Sequence, residues 1–331
     1  MDILALCLSV FFGIAPMVVY SLGVRWFDRY EKEPWLLLIG TFLWGAVLAA
    51  GAAFIINTVL GIGIYMFTGS ETASDFSTGV LVAPIVEETL KGLAVLAVFL
   101  LFRREGDSVL DGILYASMVG FGFAATENIY YIFARGYLEG GMGQLVFLTF
   151  IRVIVVAFQH GFYTSFTGIG FAVARLSKNP LAKFGAPLLG YGFAMLTHSI
   201  HNLLASLGDL LFCVFGSVLD WTGVLAMVGL MIYLVVREGR VMAMYLREEV
   251  GGALTEQDYR VACSFGGQMA ARWGALGAGM ARWQRTRKFL DTCGELAFKK
   301  WQLARFGDER GNSAQIAKLR AALMQMQSAG G

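Results

Sequence analysis

Residues 80–102 form an apolar run that is broken by Glu87, Glu88 and Lys91. This interruption limits the folds open to the chain more than any other feature. A charge at the centre of a bilayer costs about 2.5–3.5 kcal/mol on insertion scales, so such residues face a protein interior or a water-filled cavity. On a helix Glu87 and Lys91 are four apart and Glu88 and Lys91 three apart, so Lys91 can pair with either carboxylate. The other carboxylate is then a candidate base. The rest of the chain is expected to hold groups against this helix.

The surrounding sequence supplies that setting. Of 331 residues 57% are hydrophobic and the mean hydropathy is +0.63, beyond an ordinary soluble domain. About 20 apolar residues cross a bilayer, and stretches of that kind lie near 3–24, 35–67, 79–102, 109–133, 144–174, 184–206 and 210–236. The second and fifth exceed one upright helix, so each is expected to tilt or to split at a glycine (Gly51, Gly61 or Gly161). The predicted fold is therefore all-α: a polytopic membrane helix bundle of seven to eight spans, followed by a soluble helical domain. Basic residues cluster after alternate spans, at Arg25, Arg29 and Lys32, at Arg103 and Arg104, at Arg175, Lys178 and Lys183, and at Arg237 and Arg240. By the positive-inside rule this predicts seven crossings, with the N-terminus outside and the C-terminus in the cytoplasm. Met1-Asp2-Ile3 lacks the basic start of a cleaved signal, so the first span is expected to be retained.

Residues 1–236 carry 11 Lys and Arg against 15 Asp and Glu, whereas 237–331 carry 15 against 9. This divides the chain into a transmembrane domain, 1–236, and a basic cytoplasmic domain, 237–331. Thr255-Glu256-Gln257-Asp258 reads as a helix start, with Thr at the cap and acids in the first turn. Arg282, Arg285, Arg287, Lys288, Lys299 and Lys300 alternate with Trp283, Phe289, Phe298 and Trp301. They are consistent with a surface for anionic lipid headgroups or an acidic cytoplasmic partner, and more readily with a small helical domain that has a solvated face and keeps its Trp in its own core. No nucleic-acid partner is predicted. The cysteines, 7, 213, 263 and 293, have no paired or metal-type spacing and are expected to be free thiols.

Other polar groups interrupt the apolar runs: Glu127-Asn128, Arg152, Gln159-His160 and His198-Ser199-Ile200-His201-Asn202. One intramembrane histidine is ordinarily a helix–helix hydrogen bond. Here all three histidines of the chain fall in predicted membrane, together with Glu87, Glu88 and Glu127, which points to a shared functional cluster. At about 1.5 Å rise per residue, Glu87, Glu127, His198 and His201 come out roughly 12, 10, 12 and 8 Å below the outer ends of their spans. His160 comes out deeper, at roughly 24 Å, if its span starts at Gln144. Helices running in opposite directions thus converge on the outer half of the bilayer.

Two chemistries fit these groups. Burial raises a glutamate's proton affinity and a nearby lysine lowers it, which can poise Glu87 or Glu88 as a general base for water. Histidines and an amide opposite could then hydrogen-bond a developing oxyanion. Alternatively His160, His198 and His201 are candidate zinc ligands, with a carboxylate, for a metal-bound water. Both amount to hydrolysis of an amide within the membrane. The competing readings are a proton-coupled transporter using the Glu/His cluster as a relay and a non-catalytic assembly or immunity protein working through its basic tail.

Glu87-Glu88-x-x-Lys91, Phe123-x-x-x-Glu127-Asn128, an isolated His160 and His198-x-x-x-Asn202, in this order on successive spans, resemble the PrsW family of intramembrane proteases. That family is related to the CAAX-processing and bacteriocin-immunity type membrane proteases. The resemblance covers roughly 80–205, and Glu-Glu-x-x-Lys with Phe-x-x-x-Glu favours PrsW over prenyl-protein processing. It implies an integral protein of the bacterial cytoplasmic membrane. It also implies site-1-type cleavage of single-pass proteins, such as a membrane-anchored anti-sigma factor, on the extracytoplasmic side. By the same resemblance Glu87 and Glu88 carry the catalytic carboxylate, and Glu127, His160, His198 and Asn202 complete the site. Lys91, Asn128 and His201 support it. Zn²⁺ belongs to a metallo-type site and no cofactor to a glutamate-type one; the resemblance leaves both open.

Overall fold

The computed structural model describes residues 2–103, 105–308 and 311–328; Arg104 and the last three residues of the basic tail lie outside them. Among the described residues the chain is all-helical, 88% helix with no strand. Its contacts form two compact units. One holds the chain up to Phe27 together with Glu33–Met231; the other holds Asp28–Lys32 and the chain from Ile232 onward.

The first unit begins with α1 (Asp2–Arg25) and α2 (Trp35–Leu43). α2 continues through a π-helical segment, Trp44–Ala49, into α3 (Ala50–Thr68). The long second stretch is therefore one helical run: Gly51 and Gly61 lie inside it and do not split it. Gly69, at φ 67°, ends the run in the left-handed conformation that glycine adopts without strain. Ser70 caps α4 (Glu71–Ser77), and a π segment, Thr78–Val82, leads into α5 (Ala83–Leu101). A capping box of Ser108 and Asp111 opens α6 (Val109–Tyr130). Past the π segment Tyr131–Tyr137, α7 (Leu138–Phe150) is kinked at Gly141, φ 69°.

The fifth apolar stretch is broken, but not at Gly161. Its π segment, Ile151–Val155, ends in a turn at Val156–Phe158, and α8 (Gln159–Leu176) starts afresh. Ile151, Val153, Ile154, Val155 and Val156 are all β-branched, side chains that crowd the preceding helical turn. His160 thus sits in the first turn of α8, not deep within one helix counted from Gln144. α9 (Pro180–Ser206) and α10 (Leu210–Leu246) follow.

Glycines place α8 against two neighbours at backbone contact. A Cβ added at Gly112 of α6 would lie 2.4 Å from the carbonyl oxygen of Gly168, and one at Gly120 2.4 Å from that of His160. On the other side, a Cβ at Gly190 of α9 would lie 2.3 Å from the oxygen of Phe166. Small residues that admit close backbones are the usual means of packing helices in lipid, where burial of apolar surface gives no drive.

Asp2–Arg25, Trp35–Thr68, Val109–Leu176 and Leu210–Glu249 are long and apolar enough to cross a membrane. Their outer faces expose Leu36, Phe67 and Leu210 at 78–93%, as lipid-facing side chains would. α5 is not among the four because it carries Glu87, Glu88 and Lys91; α9 is not because Lys183, His198, His201 and Asn202 dilute its apolar residues.

The second unit contains the end of α10, then α11 (Glu256–Ala262), α12 (Phe265–Gly277), α13 (Met280–Phe306) and α14 (Asn312–Ser328) around Tyr30, Leu246, Leu290, Leu296 and Leu323. Thr255 and Asp258 form the capping box that starts α11. The basic residues of α13 do not make one surface. Lys299 is buried and bonded to Glu31 at 3.3 Å, Lys300 reaches Glu249 at 2.8 Å, and Trp301 packs on the core. Only Arg282, Arg285 and Lys288 of the set stand exposed. Glu249 is the hub of this unit: it accepts two bonds from Arg320 as well as that from Lys300, each at 2.8 Å. Glu249→Gln is expected to lower the unit's stability by about 2 kcal/mol, the scale of one charge-assisted bond when the half-exposed Arg320 is partly screened. Thermal unfolding of residues 232–331 within the whole protein, followed by tail tryptophan fluorescence, would check it.

Candidate active site

Four helices bring the polar groups together, with α5 at the centre. The Lys91 ammonium is fully buried and donates to Glu88 at 2.9 Å and to Glu87 at 3.4 Å. It also lies 3.9 Å over the ring of Phe123. Lys91 therefore pairs with both carboxylates, not one. Glu88 is saturated: besides Lys91 it accepts from Thr164 of α8 at 2.9 Å and from His198 Nδ1 of α9 at 3.1 Å, and it has no exposed surface. Glu87 is bound more loosely, with His198 Nε2 3.9 Å from its carboxylate.

These partners fix both histidine tautomers. Lys91 Nζ can only donate, so His160 Nδ1, at 3.1 Å, accepts and His160 Nε2–H donates to Glu127 at 2.7 Å. His198 donates through Nδ1 to Glu88, which leaves the Nε2 lone pair toward Glu87. Glu127 also pairs with the Arg152 guanidinium, whose Nε donates to Asn128 Oδ1 at 2.9 Å. Arg152 thus holds Glu127-Asn128 to the segment just before α8.

Asn202 and His201 line the same cavity as Glu87, Glu127, His160 and His198 but bond outside this cluster. Asn202 donates to the Gly79 carbonyl at 2.8 Å, tying α9 to the π segment that leads into α5. His201 turns away from the glutamates and bonds Asp220 of α10 at 2.8 Å. Asp220 also accepts from Gln159 at 2.7 Å and from the Tyr163 hydroxyl at 2.8 Å, and the Tyr163 ring stacks on His198 with centroids 5.2 Å apart. Asp220, Tyr163 and Thr164 were not anticipated. An aspartate in the apolar stretch 210–236 is as anomalous as Glu127, and that signal was available.

A cavity of about 1270 Å³ opens against Glu87, Glu127, His160 and His198, with apolar walls that include Phe147 and Trp221. Glu88 and Lys91 lie behind this surface. Glu87, His160 and His198 each offer a ligand atom, all within 4.8 Å of one another. Two imidazoles and a carboxylate are a donor set that fits a zinc-type cation. Glu87 is the carboxylate of that set, and His201 lies outside it, bonded to Asp220. Lys91 already bonds two of these residues, Glu87 and His160, so a cation there would sit beside its ammonium.

The sequence pattern of the PrsW family intramembrane metalloproteases matches residues 33–236. The chain belongs to this family. The matched stretch contains every residue of the cluster, Asp220 included. Protease PrsW of Clostridioides difficile is 30% identical over 156 residues, 46% of this chain and 63% of that protein. Protease PrsW of Geobacillus kaustophilus is 29% identical over 165 residues, 50% and 66% of the two chains, and that of Bacillus subtilis 28% over 167 residues, 50% and 69%. The chain thus spans just under two thirds of the length of the first two relatives. No solved structure matches it.

Asp220 holds the Tyr163 ring that stacks on His198. Asp220→Ala is expected to lower activity on the order of 10–100-fold, the scale for losing a partner that orients a catalytic or ligating side chain. Comparing cleavage rates at equal amounts of folded membrane protein would check it.

Proposed function

We propose that the chain is an intramembrane endopeptidase that hydrolyses peptide bonds of membrane-anchored proteins. The observation that carries this reading is the asymmetry of the glutamate pair: Glu88 is closed off by Lys91, Thr164 and His198, while Glu87 faces the cavity. In the proposed reaction Glu87 takes a proton from water as the water oxygen attacks the scissile carbonyl carbon. Arg152, the cation in the cavity wall, offsets the charge that develops on the carbonyl oxygen. The proton then passes to the amide nitrogen as the C–N bond breaks, leaving one carboxylate and one amine. His198 Nε2 shares the proton on the way, and Glu88 and Lys91 hold Glu87 and His198 in register. His160, oriented by Glu127, completes the wall. Glu87, His160 and His198 would hold a divalent cation, which when bound supplies Lewis acidity to water or to the carbonyl.

The same reading takes 1–236 as a seven-crossing protease domain with its N-terminus outside, and 237–331 as a cytoplasmic domain. Its site then lies in the outer half of the bacterial cytoplasmic membrane. Single-pass proteins are the substrate class, with a membrane-anchored anti-sigma factor as the example the family suggests. Arg282, Arg285 and Lys288 remain for anionic headgroups or an acidic partner.

The test compares membrane-protein fragments in cells carrying the wild type and Glu87→Gln. One single-pass protein should accumulate intact in the variant and lose its shorter product. Matching profiles for Glu87→Gln and then for Glu88→Gln, with all proteins present in the membrane, would end the protease reading.

A further inference from the structure

Glu87 is reached from two sides. Besides the cavity described above, a second of about 850 Å³ lies against the Glu87–Glu127 pair, and the two share Asp75, Ala83 and Tyr131 as well as both glutamates. Both walls are mixed. The first carries apolar side chains from α7 to α10 beside its polar cluster. The second, among apolar residues such as Ala53 and Phe54, carries polar groups of α3, α4, the π segment before α5, and α6: Asn57, Ser74, Thr78 and Thr126. It runs to Glu71 and Arg135, beside the turn where α3 ends and α4 begins.

Two of these polar atoms carry the argument. Asn57 Oδ1 and Thr78 Oγ1 are buried and have no hydrogen-bond partner in the protein. Leaving such an atom unmet costs about 1–3 kcal/mol, and a polar space roomy enough for water normally meets it with water. Asn57 is also costly in its own place, since Phe54, Ile55 and Val59 around it are exposed apolar side chains at 61–64%. Gly61 makes room for the polar wall: Ser74 Oγ donates to its carbonyl at 2.7 Å, and a Cβ there would stand 3.1 Å from Thr78 Oγ1.

A polypeptide filling the apolar cavity would close Glu87 off from that side, yet hydrolysis consumes one water per bond cut. We infer that the second cavity is a water-binding conduit that supplies Glu87 from the membrane face bearing the α3–α4 turn. The use made of that water rests on the hydrolytic reading above; the hydration of the conduit does not.

Thiol labelling separates the two. Cys7 and Cys213 are exposed and are first replaced by Ser. Cys263 can stay, because burial pushes its thiol up to about 12, and burial likewise raises that of buried Cys293. Asn57→Cys and Thr78→Cys are then treated with a charged, membrane-impermeant thiosulfonate. Ile55→Cys, on the lipid-facing side of the same helix, is the dry control, and Glu71→Cys marks the mouth. Both conduit thiols should react at least about tenfold faster than Ile55→Cys, and only from the face that labels Glu71→Cys, since reaction needs a hydrated thiolate. Rates no faster than Ile55→Cys, or reaction from the opposite face only, would overturn the conduit. In the otherwise native protein Thr78→Val should lower kcat by about tenfold, one net hydrogen bond's worth, with KM unchanged because the apolar cavity is untouched; an unchanged kcat would also count against it. Labelling without any proteolysis would leave the conduit standing and remove the hydrolytic reading alone.

Discussion

Glu87→Gln is expected to lower the cleavage rate by about 10²–10⁴-fold, the usual contribution of a general base, while the protein stays folded. The substitution keeps the side chain's shape, and Lys91 retains its shorter bond to Glu88 at 2.9 Å. Glu88→Gln should behave differently. It removes the carboxylate that holds Lys91, His198 and Thr164 together, and leaves a fully buried ammonium with the 3.4 Å contact to Glu87 as its charged partner, beside neutral His160 Nδ1 at 3.1 Å. Breaking one side of a buried pair typically costs about 3–5 kcal/mol, so this variant should lose activity and melting temperature together. Cleavage of a single-pass substrate by purified protein, measured beside thermal unfolding, distinguishes the two. Activity lost at unchanged melting temperature in Glu88→Gln, with Glu87→Gln still active, would exchange the roles assigned here.

The charge pattern made much of this site readable from sequence. Glu87, Glu88, Lys91, Glu127, His160 and His198 each break an apolar run, and burial in lipid selects against polar residues that have no partner. The structure gathers these six, because each is the partner another requires. The bonds of Asn202 and His201 are less legible: both line the cavity, yet each is bonded elsewhere. Helical spacing puts them near the face of His198, but spacing does not say whether a neighbouring carbonyl or carboxylate claims them first; Gly79 and Asp220 do. The break before α8 was hidden for a related reason. Glycine is the expected point of weakness in a long apolar stretch, whereas Gly161 is used for close packing and a run of β-branched residues precedes the turn. In the tail, a count of charges made Lys299 and Lys300 look like surface, because composition does not reveal that Glu31 and Glu249 would bury them.

Gly120→Ala is expected to lower activity by about 100-fold or more without touching a polar residue. The added methyl would stand 2.4 Å from the carbonyl oxygen of His160 and 2.7 Å from the Cα of Gly161. These are backbone atoms, so no side chain can swing aside; α8 has to move away from α6. His160 and Thr164 ride on that first turn and a half of α8, and both bond to residues of α5 or α6. A shift of about 1 Å at a catalytic constellation costs on the order of 10²-fold, whereas overpacking of this kind costs about 1–3 kcal/mol in stability. The variant should therefore fold, insert and fail to cleave, and Gly120→Leu should abolish cleavage altogether. Relative rates of Gly120→Ala and of Gly185→Ala, where an added Cβ meets nothing within 4 Å, would check this at matched membrane levels. Equal rates would mean that α8 is free to slide without disturbing His160, and that the tight backbone contact does not set the position of the site.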